Sequence, residues 1–88
     1  MTIEVVLLTQ PDCDLCDRAK AVLDDCARDF ALEVSTVELN SPRGQEMGRR
    51  GGIMFPPGVF LDDEPFGYGR LSERKLRREL RRRVGVTS

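Results

Sequence analysis

The sequence predicts one α/β domain, spanning residues 1–88, with the order β-α-β-α-β-β-α and a four-stranded mixed sheet. Three observations carry that expectation. The run from Ile3 to Leu8 is nearly all apolar, as a strand covered on both faces requires. Two cysteines, Cys13 and Cys16, follow at once and open an amphipathic stretch, so a strand gives way to a helix there. Further on, Gly58 to Leu61 and Pro65 to Tyr68 are apolar runs separated only by Asp62, Asp63 and Glu64. A link that short allows only an antiparallel hairpin.

The elements follow in order. Pro11 cannot continue the first strand and leads into the turn before the first helix. From Asp14 to Phe30, the residues Leu15, Ala19, Val22, Leu23, Cys26 and Phe30 fall on one helical face, and Asp17, Arg18, Asp24, Asp25 and Arg28 fall largely on the other. Cys26 is read as a small buried hydrophobe. Leu32 to Leu39 alternates as a second strand with one face partly wet, parallel to the first and nearer an edge. Ser41 and Pro42 have the order of an N-cap and a first helical residue, and Gly51 and Gly52 supply the stop. The helix between them is short and polar. Gly44 and Gly48 weaken it, which predicts an irregular or mobile element. Pro65 blunts the fourth strand at the sheet edge. Ser72 caps a last helix to about Arg83, with Leu71 and Leu76 spaced as a staple and Leu76, Leu80 and Val84 as a narrow apolar stripe.

The composition is globular, with 40% apolar and 33% charged residues. No apolar run approaches the roughly 20 residues of a membrane span, and the start of the chain lacks the pattern of a secretory signal. That predicts a cytoplasmic protein. In a reducing compartment, a C-x-x-C pair is redox-active or metal-binding, and an odd total of three cysteines argues against a disulfide framework. Two thiols about one turn apart at a helix N-terminus can bond to each other, and the helix dipole favours a thiolate at Cys13. Such a pair is the working part of a dithiol–disulfide exchanger. Asp12, Asp14 and Asp17 oppose the dipole, which predicts a Cys13 thiol harder to ionise and a more reducing couple.

This order of elements, with a cysteine pair at the first strand-to-helix turn, resembles the thioredoxin fold in its minimal, glutaredoxin-like form. Two further matches support the resemblance. Glutaredoxins carry a cis-proline before an apolar strand reading roughly P-x-V-F-[IL], which Pro57 to Leu61 fits without a gap. The stretch from Gly67 to Leu71 looks like a modified form of the family's glycine turn before the last helix. The resemblance implies Cys13 as nucleophile, Cys16 as resolving thiol and Pro57 as the cis residue. Phe55, Pro56 and Tyr68 join Pro57 as the apolar surface that receives the substrate, a protein or low-molecular-weight disulfide, with an upstream reductant completing the cycle. It implies a monomer and no cofactor. Three departures bear on glutathione as the thiol used. Gln10 and Asp12 stand where many glutaredoxins have a lysine, Arg70 stands where an acidic residue is frequent, and Pro56 lacks the N–H that pairs with an extended substrate in the family.

Two other readings compete. Cys13, Cys16 and Cys26 could bind metal, but the chain has no histidine and Cys26 lies about 15 Å of helical rise from Cys16, so no metal site is expected. The second concerns charge. Residues 1–69 hold 13 acidic and 6 basic side chains, a balance of −7, whereas residues 70–88 hold 8 basic and 2 acidic, a balance of +6. The basic helix could make the chain a redox-inactive adaptor docking an acidic partner, or it could simply offset the acidic body. Nucleic acid is disfavoured, because aromatic residues are almost absent from the basic segment.

Overall fold

The computed structural model describes residues 2–85. Its elements are β1 (Ile3–Thr9), α1 (Asp14–Cys26), β2 (Leu32–Glu38), α2 (Pro42–Arg50), β3 (Gly58–Leu61), β4 (Glu64–Tyr68) and α3 (Glu73–Gly85). The sheet order is β2-β1-β3-β4, with β1 and β2 parallel and the other two pairings antiparallel. This is the predicted mixed sheet, with β2 at one edge and the proline-bearing β4 at the other.

The alternation of β1 divides the core between the two faces of the sheet. Ile3, Val5 and Leu7 point with Val59 and Leu61 toward α1 and α3, where they meet Ala19, Leu23, Cys26, Leu76 and Leu80. Leu8 and Phe60 point the other way and pack against Met47 of α2. β1 and β3 are thus covered on both faces, which explains their nearly unbroken apolar sequence.

Four details differ from the sequence expectation. Helix α1 ends at Cys26 and not at Phe30. The amides of Asp29 and Phe30 both return to the Cys26 carbonyl (3.1 and 3.0 Å), closing the chain into turns. Ile3 accounts for this early stop: its amide donates to the Ala31 carbonyl (2.9 Å), so the chain must already have reversed by residue 31. Phe30 still packs on the core, from the turn. Helix α2 is regular, not irregular. Ser41 Oγ accepts from the Gly44 amide (3.0 Å), and Gly44 and Gly48 are both buried. The hairpin turn is two residues, Asp62 and Asp63, both at positive φ (48° and 69°), and Glu64 already belongs to β4. Asp62 ties the turn to β1 by exchanging bonds with Glu4: its amide donates to the Glu4 carbonyl (2.7 Å) and its Oδ1 accepts from the Glu4 amide (2.9 Å). In α3 only Leu76 and Leu80 are buried, and Val84 is exposed.

Candidate functional site

The turn after β1 delivers two sulfurs to the head of α1. Asp12 takes a left-handed conformation (φ 54°) and Cys13 returns to extended backbone (φ −117°, ψ 104°) as the N-cap residue of the helix. An N-cap side chain normally offers oxygen to the first free amides. Here Cys13 Sγ accepts from the Cys16 amide at 3.1 Å. Cys13 and Cys16 are joined as a disulfide, with a Cα–Cα distance of 5.2 Å that falls in the ordinary range. The two are not equivalent. Cys16 is buried at 1% exposure, whereas Cys13 is partly open to solvent. A thiolate at Cys13 would keep the Cys16 amide as a donor and face the positive end of α1, both of which favour it. Asp14 and Asp17 lie in the first turn of α1 and oppose it, though they suit the helix itself.

Sheet register places the other candidate residues at the same end of the molecule. Leu8 of β1 pairs with Gly58, and Gly58 pairs with Tyr68. Pro57 and Tyr68 therefore lie beside the end of β1 from which the cysteine turn departs. The Pro56–Pro57 peptide is cis, and Pro57 is fully buried. Its carbonyl accepts from the Gly69 amide (2.8 Å), which fastens this loop to the turn before α3. Phe55 and Tyr68 stack edge to face, with ring centroids 5.0 Å apart and an interplanar angle of 89°, and about half of Phe55 is exposed. Pro56 sits half-buried between them in sequence and has no amide to donate.

Sequence reasoning missed two features. Met54, next to Phe55 in sequence, is 75% exposed, and nothing in its sequence context signals that. Gly69 takes φ 79°, and a Cβ there would stand 2.9 Å from the Phe55 ring, so this glycine makes room for the aromatic. The glycine turn pointed to the right segment but not to that contact. Cys26 lies apart from the site. It is a free thiol at 0% exposure in the α1–α3 core, and burial pushes it above the ordinary thiol range. Among the described residues no group of three or more His, Cys, Asp or Glu is placed to share a metal ion. Nor is any of their helices long and apolar enough to cross a membrane.

Comparison with known proteins agrees with this geometry. The model of the family described as Glutaredoxin-like domain (DUF836) matches residues 4–81. Among solved structures, a mutant thioredoxin from Halobacterium salinarum NRC-1 superposes with a TM-score of 0.69 at 17% identity. That match covers 91% of this chain and 73% of the thioredoxin, and it speaks for the fold alone. Glutaredoxin 1 from Francisella tularensis, in complex with cacodylate, matches with a TM-score of 0.52 at 25% identity, over 88% of this chain and 93% of the glutaredoxin. No curated protein sequence matches the chain.

Proposed function

The chain belongs to the glutaredoxin-like domain family, and from that premise we propose that it is a dithiol–disulfide oxidoreductase with Cys13 and Cys16 as its redox couple. The Cys13 thiolate attacks one sulfur of a substrate R–S–S–R′. The new S–S bond forms as R′S⁻ leaves and takes up a proton. Cys16 then gives up its proton and attacks Cys13 Sγ, releasing RS⁻. In sum, two protein thiols become one disulfide and the substrate gains two electrons and two protons as RSH and R′SH. An upstream reductant returns the pair to the dithiol.

The observation that carries this reading is the unequal placement of two bonded sulfurs at one helix end: Cys13 reachable and capped onto an amide, Cys16 buried behind it. Attack from solvent falls to Cys13, and resolution from within falls to Cys16. A charged acceptor strengthens the Cys16 amide bond, hydrogen bonds to charged groups contributing about 1.5–3 kcal/mol in general against about 0.5–1.5 kcal/mol for neutral ones. The helix end adds about 0.3–1 kcal/mol. Asp12, Asp14 and Asp17 would cancel most of the helix-end help, and the couple is expected nearer thioredoxin's roughly −270 mV than the roughly −200 to −230 mV of glutaredoxins. Phe55, Pro56, Pro57 and Tyr68 would receive the residues flanking the substrate disulfide, and the protein would work as a monomer in the cytoplasm.

A redox titration by thiol trapping tests the reading, with Cys13→Ser as control. A reversible two-electron couple between about −180 and −300 mV is expected. Failure to form the intramolecular disulfide would end the proposal and leave the redox-inactive adaptor, whose function Cys13→Ser would spare.

A further inference from the structure

Helix α3 carries two populations of cations. Arg77 pairs with Asp29 (2.7 Å), Glu73 (2.8 Å) and Asp25 (3.4 Å). Arg82 and Arg83 pair with Glu79 (2.6 and 2.7 Å), and Arg83 also reaches Glu64 (2.8 Å). By contrast, Arg70, Arg74, Lys75, Arg78 and Arg81 are all exposed and enter no ion pair among the described residues. Helical phase explains the division. At 100° per residue, Arg74, Arg78 and Arg81 fall within about 60° of one another, on the side away from buried Leu76 and Leu80. They form an unneutralised outer stripe about 10 Å long.

A cavity of about 300 Å³ lies at the head of this stripe, between β4 and the start of α3. Phe66 and Leu71 give it apolar walls, and Arg70, Ser72 and Lys75 give it polar ones. No acidic residue lines it. Tyr68 belongs both to this cavity and to the aromatic pair by the end of β1 from which the cysteine turn departs. The positive tract therefore begins at that end of the sheet and runs outward along α3.

We infer that the natural disulfide substrate is an acidic protein segment, with one carboxylate seated in the cavity between Arg70 and Lys75 and others lying along Arg74, Arg78 and Arg81. This inference rests on the dithiol reading above. Charge complementarity selects the partner. Acidic side chains at i, i+4 and i+7 of a helix repeat with the same spacing as Arg74, Arg78 and Arg81. A nucleic acid would meet no stacking aromatic on the stripe, would be repelled by a body of balance −7, and offers no disulfide to exchange.

The test uses pre-reduced full-length protein in single turnover against synthetic peptides. Each peptide carries the same internal disulfide, flanked at that spacing by Glu, Gln or Lys. The Glu peptide is expected to react about tenfold or more faster than the Gln peptide at low ionic strength, with the gap closing in high salt. The variant Arg74→Glu/Arg78→Glu/Arg81→Glu should erase the preference while leaving the rate with uncharged bis(2-hydroxyethyl) disulfide unchanged. Arg70→Gln/Lys75→Gln should lower the Glu-peptide rate several-fold. Equal rates for Glu and Gln peptides, or a preference that survives the triple substitution, would overturn the inference. So would salt-sensitive self-association or duplex DNA binding that occupies the stripe in place of the peptide. If bis(2-hydroxyethyl) disulfide itself fails to react, the fault lies in the dithiol reading and this inference falls with it.

Discussion

Replacing Gly44 by alanine should destabilise the protein, although helix propensity alone says the opposite. In an unconstrained helix the change stabilises by about 1 kcal/mol. At this site a Cβ would stand 1.9 Å from the Glu38 carbonyl oxygen, 2.8 Å from its carbon and 2.9 Å from the Leu39 Cα. All three are backbone atoms at the end of β2, and contacts between such atoms settle near about 3.5 Å. Helix α2 would have to retreat by more than about 1 Å. The same Glu38 oxygen accepts from the Ser41 amide (3.0 Å) and hydroxyl (2.6 Å), and Ser41 Oγ caps Gly44. Retreat therefore removes a cap worth about 1 kcal/mol. It also lifts Met47 from Leu8 and Phe60, and forced shifts of that kind cost about 1–3 kcal/mol. The net expectation is a loss of about 1–3 kcal/mol. Urea denaturation of the oxidised protein reads it, with Gly48→Ala as the internal comparison. There the nearest atom is the Leu39 Cδ1 at 3.1 Å, the end of a side chain that can turn aside, so stability should hold or rise. If Gly44→Ala matched or exceeded the wild type, α2 would not be seated on β2 as described, and the reasoning would fail.

Three further outcomes are expected. Hydrogen bonds from Arg82, and then from Arg83, hold the Glu79 carboxyl down at about 2 against an ordinary 4.5, so its contribution is present above pH 4.5 and disappears as pH falls toward 2. Glu79→Gln should accordingly lower Tm at pH 7, and the gap to wild type should close across that acid window; a gap constant from pH 7 to 2 would refute the linkage. Cys26 should resist iodoacetamide in the reduced native protein and label only in guanidinium, as peptide mapping can read; native labelling would contradict its burial. Gly69→Ala should displace the Phe55 ring, and a left-handed alanine costs about 1–2 kcal/mol in addition. Its effect on the exchange rate should combine less than additively with that of Phe55→Ala; full additivity would mean the two do not act through one contact.

What the sequence made legible was whatever local chemistry decides. Ser41 followed by Pro42, the dense apolar runs of β1 and β3, and the C-x-x-C at a strand end each have a short-range physical reason, and each stands where it was expected. What it hid depends on partners far along the chain. Gly44 reads as a weak helix residue until β2 is placed against it. Phe30 continues the periodicity of α1, yet the Ile3–Ala31 bond turns the chain before it. Glu64 reads as part of a turn because two successive aspartates at positive φ are an uncommon way to close a hairpin. Met54 has no periodic signature at all.

The same limit applies to charge. A balance of +6 over residues 70–88 is compatible with arginines that simply offset an acidic body, and two of them do. Arg77 and Arg83 border the end of α1 and the hairpin, where Asp29 and Glu64 stand ready to pair. Arg74 and Arg78 are only three and one residues away from Arg77, yet helical phase turns them outward, where no carboxylate among the described residues pairs with them. Composition cannot separate these populations, because 100° per residue decides which arginine bridges elements and which faces solvent. An outward face that only offset the body's charge would be expected to carry interspersed acids, as Glu73 and Glu79 provide on the flanks. Its lack of them is what turns a net charge into a surface with a preferred partner.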